Sequence, residues 1–252
     1  MFDLTGRHAL VTGAGSGIGR HAAVLLAKQG AVVTLSGRRQ GPLAETAAMI
    51  AAAGGKARAV TMDLSDLASI TAGVDAAAVH FGPADVLINN AGVAGQTSIL
   101  EMTETEWDSI LDTNLKGAWH CAREVAKRLI EANKPGVVVN VSSILGFIVQ
   151  KGTGPYGASK AGLIHLTRAM AVEWARSKIR VNALAPGYIA TDMTDAYMKT
   201  ERAQKLLQAI PQRRGGTVED MSGALLLLAS EASAYMTGSV ITVDGGLSLG
   251  AF

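Results

Sequence analysis

Seven short apolar runs rich in β-branched residues recur along the chain. They are HALVTG (8–13), AVVTLS (31–36), ARAVTMD (57–63), ADVLINNAG (84–92), GVVVNVSS (136–143), IRVNALAPG (179–187) and SVITVDGG (239–246). Each has the length and composition of a buried strand. Between them lie segments of helical composition at 18–29, 42–53, 66–80, 103–132, 155–176 and 217–229. TETE at Thr103–Glu106 and TVED at Thr217–Asp220 match the capping-box pattern of helix starts. Strand–helix alternation of this kind predicts βαβ units with right-handed crossovers. The expected fold is therefore α/β: a doubly wound parallel sheet of about seven strands with helices on both faces. No Pro/Ser-rich linker, composition shift or repeat interrupts the rhythm, so residues 1–252 read as one domain. Only 188–216 falls outside it, and it is expected to form a lid carrying a helix or two.

Composition narrows the class. The chain is 48% hydrophobic but only 4% aromatic, so its apolar mass is Ala, Val, Leu and Ile, which suits helices on a buried parallel sheet. Mean hydropathy of +0.25 calls for a large core or a buried oligomer interface. The net charge of +2 is scattered and makes no basic stripe for nucleic acid. A single cysteine, Cys121, excludes an internal disulfide and fits a reducing, cytoplasmic compartment. The five histidines show no metal-ligand spacing. The first residues lack a basic segment followed by an apolar one, and no apolar run reaches about 18 residues, so neither a signal peptide nor a membrane span is expected.

The first βα turn carries the strongest local signal. VTGAGSGIGR follows the first strand and opens the first helix, with Gly13, Gly15, Gly17 and Gly19. Glycines there let backbone N–H groups approach a pyrophosphate at a helix N-terminus, so a dinucleotide site is expected. NAD sites usually place an acid at the end of the second strand, for the ribose 2′-OH. Here the strand ends TLSGRRQG: Gly37 stands in that place, Arg38 and Arg39 follow, and no acid appears until Glu45. A guanidinium suits a 2′-phosphate, which favours NADP(H) and leaves NAD(H) as the alternative.

GPYGASKAGL places Tyr156 one helical turn before Lys160. A free phenol with a pKa near 10 is only about 0.1% ionised at pH 7. A cation about 6 Å away at an effective dielectric of about 20 contributes roughly 2.8 kcal/mol, or about 2 pKa units. A nearby helix N-terminus adds to the effect. The pair is expected to be a general acid/base and its tuner, with the phenol brought down towards neutral pH. Ser143, just past a strand end, can hydrogen-bond a substrate oxygen as charge develops.

Taken together and in this order, the motifs resemble those of the short-chain dehydrogenase/reductase family, in its branch of roughly 250 residues. TGAGSGIG (12–19), NNAG (89–92), the serines at 142–143, Tyr156, Lys160, NALAPG (182–187) with Thr191, and VDGG (243–246) carry the resemblance over nearly the whole chain. The resemblance implies a Rossmann fold and catalytic roles for Asn114, Ser143, Tyr156 and Lys160. Asn114 would hold a water that links the lysine to solvent. Lys160 would also hydrogen-bond the nicotinamide ribose. The implied cofactor contacts are Gly13, Ser16, Gly17, Ile18, Gly19, Arg38, Asp63, Leu64, Asn90, Gly92, Tyr156, Lys160, Pro186, Gly187, Ile189 and Thr191, with Asp63 on the adenine. Ser16 departs from the basic residue that many NADP-linked members carry there. The resemblance also implies a homotetramer or dimer paired through the 103–132 and 155–176 helices. A monomer with the second helix under its own lid is the alternative.

The implied reaction moves a hydride between the nicotinamide and a secondary alcohol or ketone. Two specific alternatives stand beside it: 3-oxoacyl-[acyl-carrier-protein] reductase and an NAD-linked sugar or alcohol dehydrogenase. The first needs a basic patch for an acidic carrier, for which Lys127, Arg128, Arg176, Lys178 and Arg180 are candidates. A dinucleotide-binding regulator without turnover is the non-enzyme alternative. The lid residues Tyr188, Met193, Tyr197, Met198 and Leu206, with Ile148, Gln150 and Lys151, are candidate substrate walls.

Overall fold

A computed structural model describes residues 2–191, 194 and 200–250. Met193, Tyr197 and Met198 of the expected lid lie outside the described residues. Seven strands, β1 (His8–Thr12), β2 (Val32–Gly37), β3 (Lys56–Thr61), β4 (Val86–Asn89), β5 (Gly136–Val141), β6 (Ile179–Pro186) and β7 (Val240–Val243), form one sheet in the order β3-β2-β1-β4-β5-β6-β7. Every pairing is parallel. The order reverses between β1 and β4, and in such sheets the crevice beyond the carboxyl ends at that point takes the ligand.

Alternation along the strands splits the core between the two faces of the sheet. Val86 and Ile88 of β4, with Val137 and Val139 of β5, pack with Ala22, Ala23 and Leu26 of α1 (Gly17–Lys28), Ile50 of α2 (Gln40–Ala52) and Leu225 and Leu228 near the C-terminus. The intervening Leu87 and Val138 face the other way. They meet Val74 of α3 (Leu67–Phe81), Val125 and Leu129 of α5 (Ala118–Glu131) and Met170 of α6 (Gly154–Trp174).

Two sequence expectations change. The 103–132 helix is three pieces: α4 (Glu104–Leu111), a π-helical turn (Asp112–Gly117) and α5. The wide turn presses the backbone onto Leu64: a Cβ on Gly117 would lie 2.1 Å from the Leu64 carbonyl oxygen. The Thr103 capping box is fully formed. The pattern at Thr217 does not open an α-helix directly. The Thr217 N–H donates to Asp220 at 2.8 Å, but Arg214 also grips that carboxylate, and the chain makes a 3₁₀ turn before the helix Ser222–Ala229 (α8). In the segment 188–216, expected to form a lid, Glu201–Ala209 is the helix α7, and the ends of the segment are tied together where Ile189 bridges Gly216.

Candidate active site

A cleft of about 370 Å³ opens at the β1/β4 switch point. One end is the glycine loop. Gly13 has φ +67°, which a side chain rarely adopts, and a Cβ on Gly19 would lie 2.2 Å from the Gly13 carbonyl oxygen. The sequence Gly13-x-x-x-Gly17-x-Gly19 is therefore a requirement of the loop's own packing. Gly13, Ser16, Gly17 and Ile18 line the cleft, and Gly19 supports them from behind. Thr191 faces the loop, with its methyl 3.2 Å from where a Gly17 Cβ would be.

At the outer end, Arg38 and Arg39 extend from the tip of β2, both exposed. Among the described residues neither forms an ion pair. Asp63 and Leu64 line the same end. The Asp63 carboxylate accepts the Ser65 N–H at 3.0 Å and the Ser65 hydroxyl at 2.8 Å. The backbone bond is the largest influence, and it holds the carboxyl below its ordinary value with a smaller contribution from Arg38.

At the inner end, β5 delivers Ser143 and the first turn of α6 delivers Tyr156. Pro155 suits that first turn, where no intrahelical N–H is required. The Lys160 ammonium lies 5.6 Å from the centre of the Tyr156 ring and donates to the Val141 carbonyl oxygen at 2.9 Å. Ser142 holds the other side of the helix, donating to the Lys160 carbonyl oxygen at 2.9 Å. The Ser143 hydroxyl accepts the Leu145 N–H at 3.1 Å and reaches Tyr156. Asn90, Gly92, Pro186, Gly187, Ile189 and Thr191 complete the wall.

The electrostatics differ from the expectation drawn from charge alone. Burial pushes the Tyr156 phenol above its ordinary value, and the bond from Ser143 opposes this only in part. Burial also pushes the Lys160 ammonium down to about 8. Desolvation disfavours both charged forms and is the leading cause of both shifts.

Asn114 stands behind this wall, buried in the π-helical turn. Its Oδ1 accepts the Val93 N–H at 2.8 Å, and its Nδ2 donates to the Val93 carbonyl oxygen at 2.8 Å and to the Ser159 hydroxyl at 3.2 Å. Ser159 in turn donates to the Tyr156 carbonyl oxygen at 2.7 Å.

Several supports were not legible from the sequence. Thr12 accepts the N–H groups of Asn90 at 2.9 Å and Ala91 at 3.0 Å, and Asn90 Nδ2 donates back to the Thr12 carbonyl oxygen at 2.9 Å. Asn89 donates to Asn140, which donates to Thr167 of α6, and this buried polar chain ties β4 and β5 to the helix that carries Tyr156. Partners so far apart in sequence leave no local signal. The Tyr188 hydroxyl donates to Gln150, whose carbonyl oxygen accepts the Thr153 hydroxyl at 2.9 Å, immediately before α6.

Comparison with known proteins agrees with this geometry. A family model described as enoyl-(acyl carrier protein) reductase matches residues 13–248. The gluconate 5-dehydrogenase of Gluconobacter oxydans (strain 621H) is 37% identical over 250 residues, covering 99% of this chain and 97% of the relative. The chain belongs to the short-chain dehydrogenase/reductase family. A 3-oxoacyl-[acyl-carrier-protein] reductase of Staphylococcus aureus (strain Mu50 / ATCC 700699) is 38% identical over 242 residues, covering 96% of this chain and 98% of the relative. Among solved structures, a gluconate 5-dehydrogenase from Burkholderia cenocepacia J2315, in complex with NADP and tartrate, superposes with a TM-score of 0.94 at 32% identity. That match covers 99% of this chain and 98% of the other. Among the described residues, no helix is long and apolar enough to cross a membrane.

Proposed function

We propose that this chain is an NADP(H)-dependent oxidoreductase that transfers a hydride between the nicotinamide and a secondary alcohol or ketone. The observation that carries the reading is the Tyr156–Lys160 pair, 5.6 Å apart at the inner end of a cleft that begins at a glycine loop. The residues present fit a dinucleotide. A Cβ on Gly92 would stand 3.0 Å from Asn114 Oδ1 and 3.5 Å from Lys160 Nζ, so the wall beside the pair is kept clear by a bare backbone. Arg38 and Arg39 suit a 2′-phosphate, and the NADP in the Burkholderia relative supports that preference. Bound NADP(H) supplies the hydride; the chain supplies orientation and the proton.

Tyr156 acts as the general acid in reduction. A phenol held above its ordinary pKa is protonated at neutral pH and can donate to an oxygen that is becoming an alkoxide. Ser143 hydrogen-bonds that oxygen as charge develops. Lys160 tunes the phenol and hydrogen-bonds the nicotinamide ribose. Both Nδ2 hydrogens of Asn114 are engaged, one with Ser159, which bonds the Tyr156 carbonyl, so we assign its side chain to supporting the turn that carries the pair.

Of the basic residues expected to form an acyl-carrier patch, Lys127, Arg176 and Lys178 are exposed, while Arg128 and Arg180 are engaged within the fold. Arg128 pairs with Asp75 and Glu124, Lys127 lies 3.5 Å from Glu124, and Arg180 donates to the carbonyl oxygens that end α8. The names of the gluconate dehydrogenase relatives favour a small polyhydroxy substrate instead. Trp119 on α5 and Val172 on α6 are exposed in the single chain, which supports a homodimer or homotetramer, to be read by size-exclusion chromatography with light scattering. The one cysteine, Cys121, is unpaired and buried, which is compatible with the proposed cytoplasmic setting. Following the reduced-nicotinamide absorbance with a panel of ketones, alcohols and aldonates, and with both cofactors, tests the reading. Cofactor binding without turnover of any panel member would favour a regulatory protein.

A further inference from the structure

The carbonyl groups of the glycine loop are gripped from outside the cleft. Thr46, fully buried in α2, shares its hydroxyl proton between the carbonyl oxygen of Pro42 at 3.0 Å and that of Ala14 at 2.9 Å. The first is the ordinary i−4 bond of a helical threonine; the second reaches 32 residues back to the loop. The same hydroxyl accepts Arg20 Nε at 3.1 Å. Arg20 then donates to the carbonyl oxygen of Gly15 and pairs with Glu45 at 2.8 Å. The start of α2 is pressed close to the loop, for a Cβ on Gly15 would lie 2.9 Å from Pro42 Cβ.

A trans peptide points its C=O and its N–H in opposite directions. Fixing the Ala14 carbonyl therefore fixes the Gly15 N–H, and fixing the Gly15 carbonyl fixes the Ser16 N–H. We propose that Thr46 and Arg20 are positioning residues for cofactor binding: they draw the Ala14 and Gly15 carbonyls outward onto α2 and aim the Gly15 and Ser16 N–H groups into the cleft, towards a diphosphate. This rests on the dinucleotide reading of the cleft. The brace acts on the part common to NADP(H) and NAD(H), so it sets affinity for both and leaves the choice between them to Arg38.

The test is a fluorescence titration of the full-length protein with NADPH and with NADH. Thr46→Val keeps the shape of the side chain and removes the hydroxyl. It is expected to weaken both cofactors about tenfold, with their ratio kept within about twofold. Thr46→Ser restores the hydroxyl and is expected to recover most of the loss. Should Thr46→Val fail to fold, Arg20→Leu, at a partly exposed site, gives the same readout. Unchanged affinities, a loss confined to one cofactor, or a Thr46→Ser variant as weak as Thr46→Val would overturn the brace while leaving the dinucleotide site standing. A wild-type protein that binds neither cofactor would overturn both.

Discussion

The two ends of the cleft are built on opposite principles. At the inner end Lys160 is 3% exposed, its ammonium is held by Val141, and the helix around it is tied to β5 and to the π-helical turn. Its charge is disfavoured by its surroundings, as is that of Tyr156. At the outer end Arg38 and Arg39 stand exposed on a strand tip without an ion pair among the described residues. Burial sets proton affinities at the end proposed to move a proton. Exposure leaves charges free at the end proposed to recognise a phosphate. Substitutions at the first end should alter rate and stability together, and those at the second should alter selectivity alone.

The sharpest way to break this contrast is Tyr156→Phe. It removes the proposed proton donor and keeps the ring, so kcat is expected to fall by about 10³ with cofactor affinity little changed. Steady-state kinetics and a NADPH titration check it; a loss confined to KM would contradict the acid role.

Lys160→Met is expected to lower turnover by about a hundredfold while raising thermal stability. Holding an ammonium whose pKa is pushed from 10.5 to about 8 costs on the order of 3 kcal/mol at neutral pH, offset in the variant by loss of the bond to Val141. The sign with pH follows. Below about 8 both folded and unfolded states are protonated and the full cost applies. Between about 8 and 10.5 the unfolded state binds more protons, so wild-type stability rises with pH. The variant's advantage in melting temperature should therefore shrink between pH 7 and pH 10.

The pH profile sharpens the same point. With the phenol raised, reduction is expected to run at or below neutral pH. Oxidation needs the phenolate, so its rate should climb steeply above pH 8, up to about tenfold per unit. A profile with both directions optimal near pH 7 would show that burial does not govern Tyr156.

At the outer end, Arg38→Ala is expected to weaken NADPH about tenfold and NADH hardly at all, with no change in melting temperature. Because the site is exposed, the difference should fade in high salt. Equal losses for both cofactors would remove the 2′-phosphate assignment.

Periodicity and punctuation wrote the scaffold plainly. The strands, the glycine loop and the Tyr156–Lys160 pair depend on neighbours within a few residues, and each lies where its pattern placed it. The π-helical turn at Asn114 could not be read that way: it brings Gly117 against the Leu64 carbonyl, more than fifty residues earlier. Thr12, Thr46 and Asn140 look like ordinary polar residues until the fold delivers their partners. The direction of the Tyr156 shift was equally hidden, since spacing counts the cation but says nothing of how much water is removed around it. The sequence alone determined the local groupings, the glycine loop and the Tyr156–Lys160 turn, because i, i+4 geometry and strand alternation are local. Only the tertiary structure decided how those groups are held and what protons they carry, because burial and long-range hydrogen bonds belong to the packed whole.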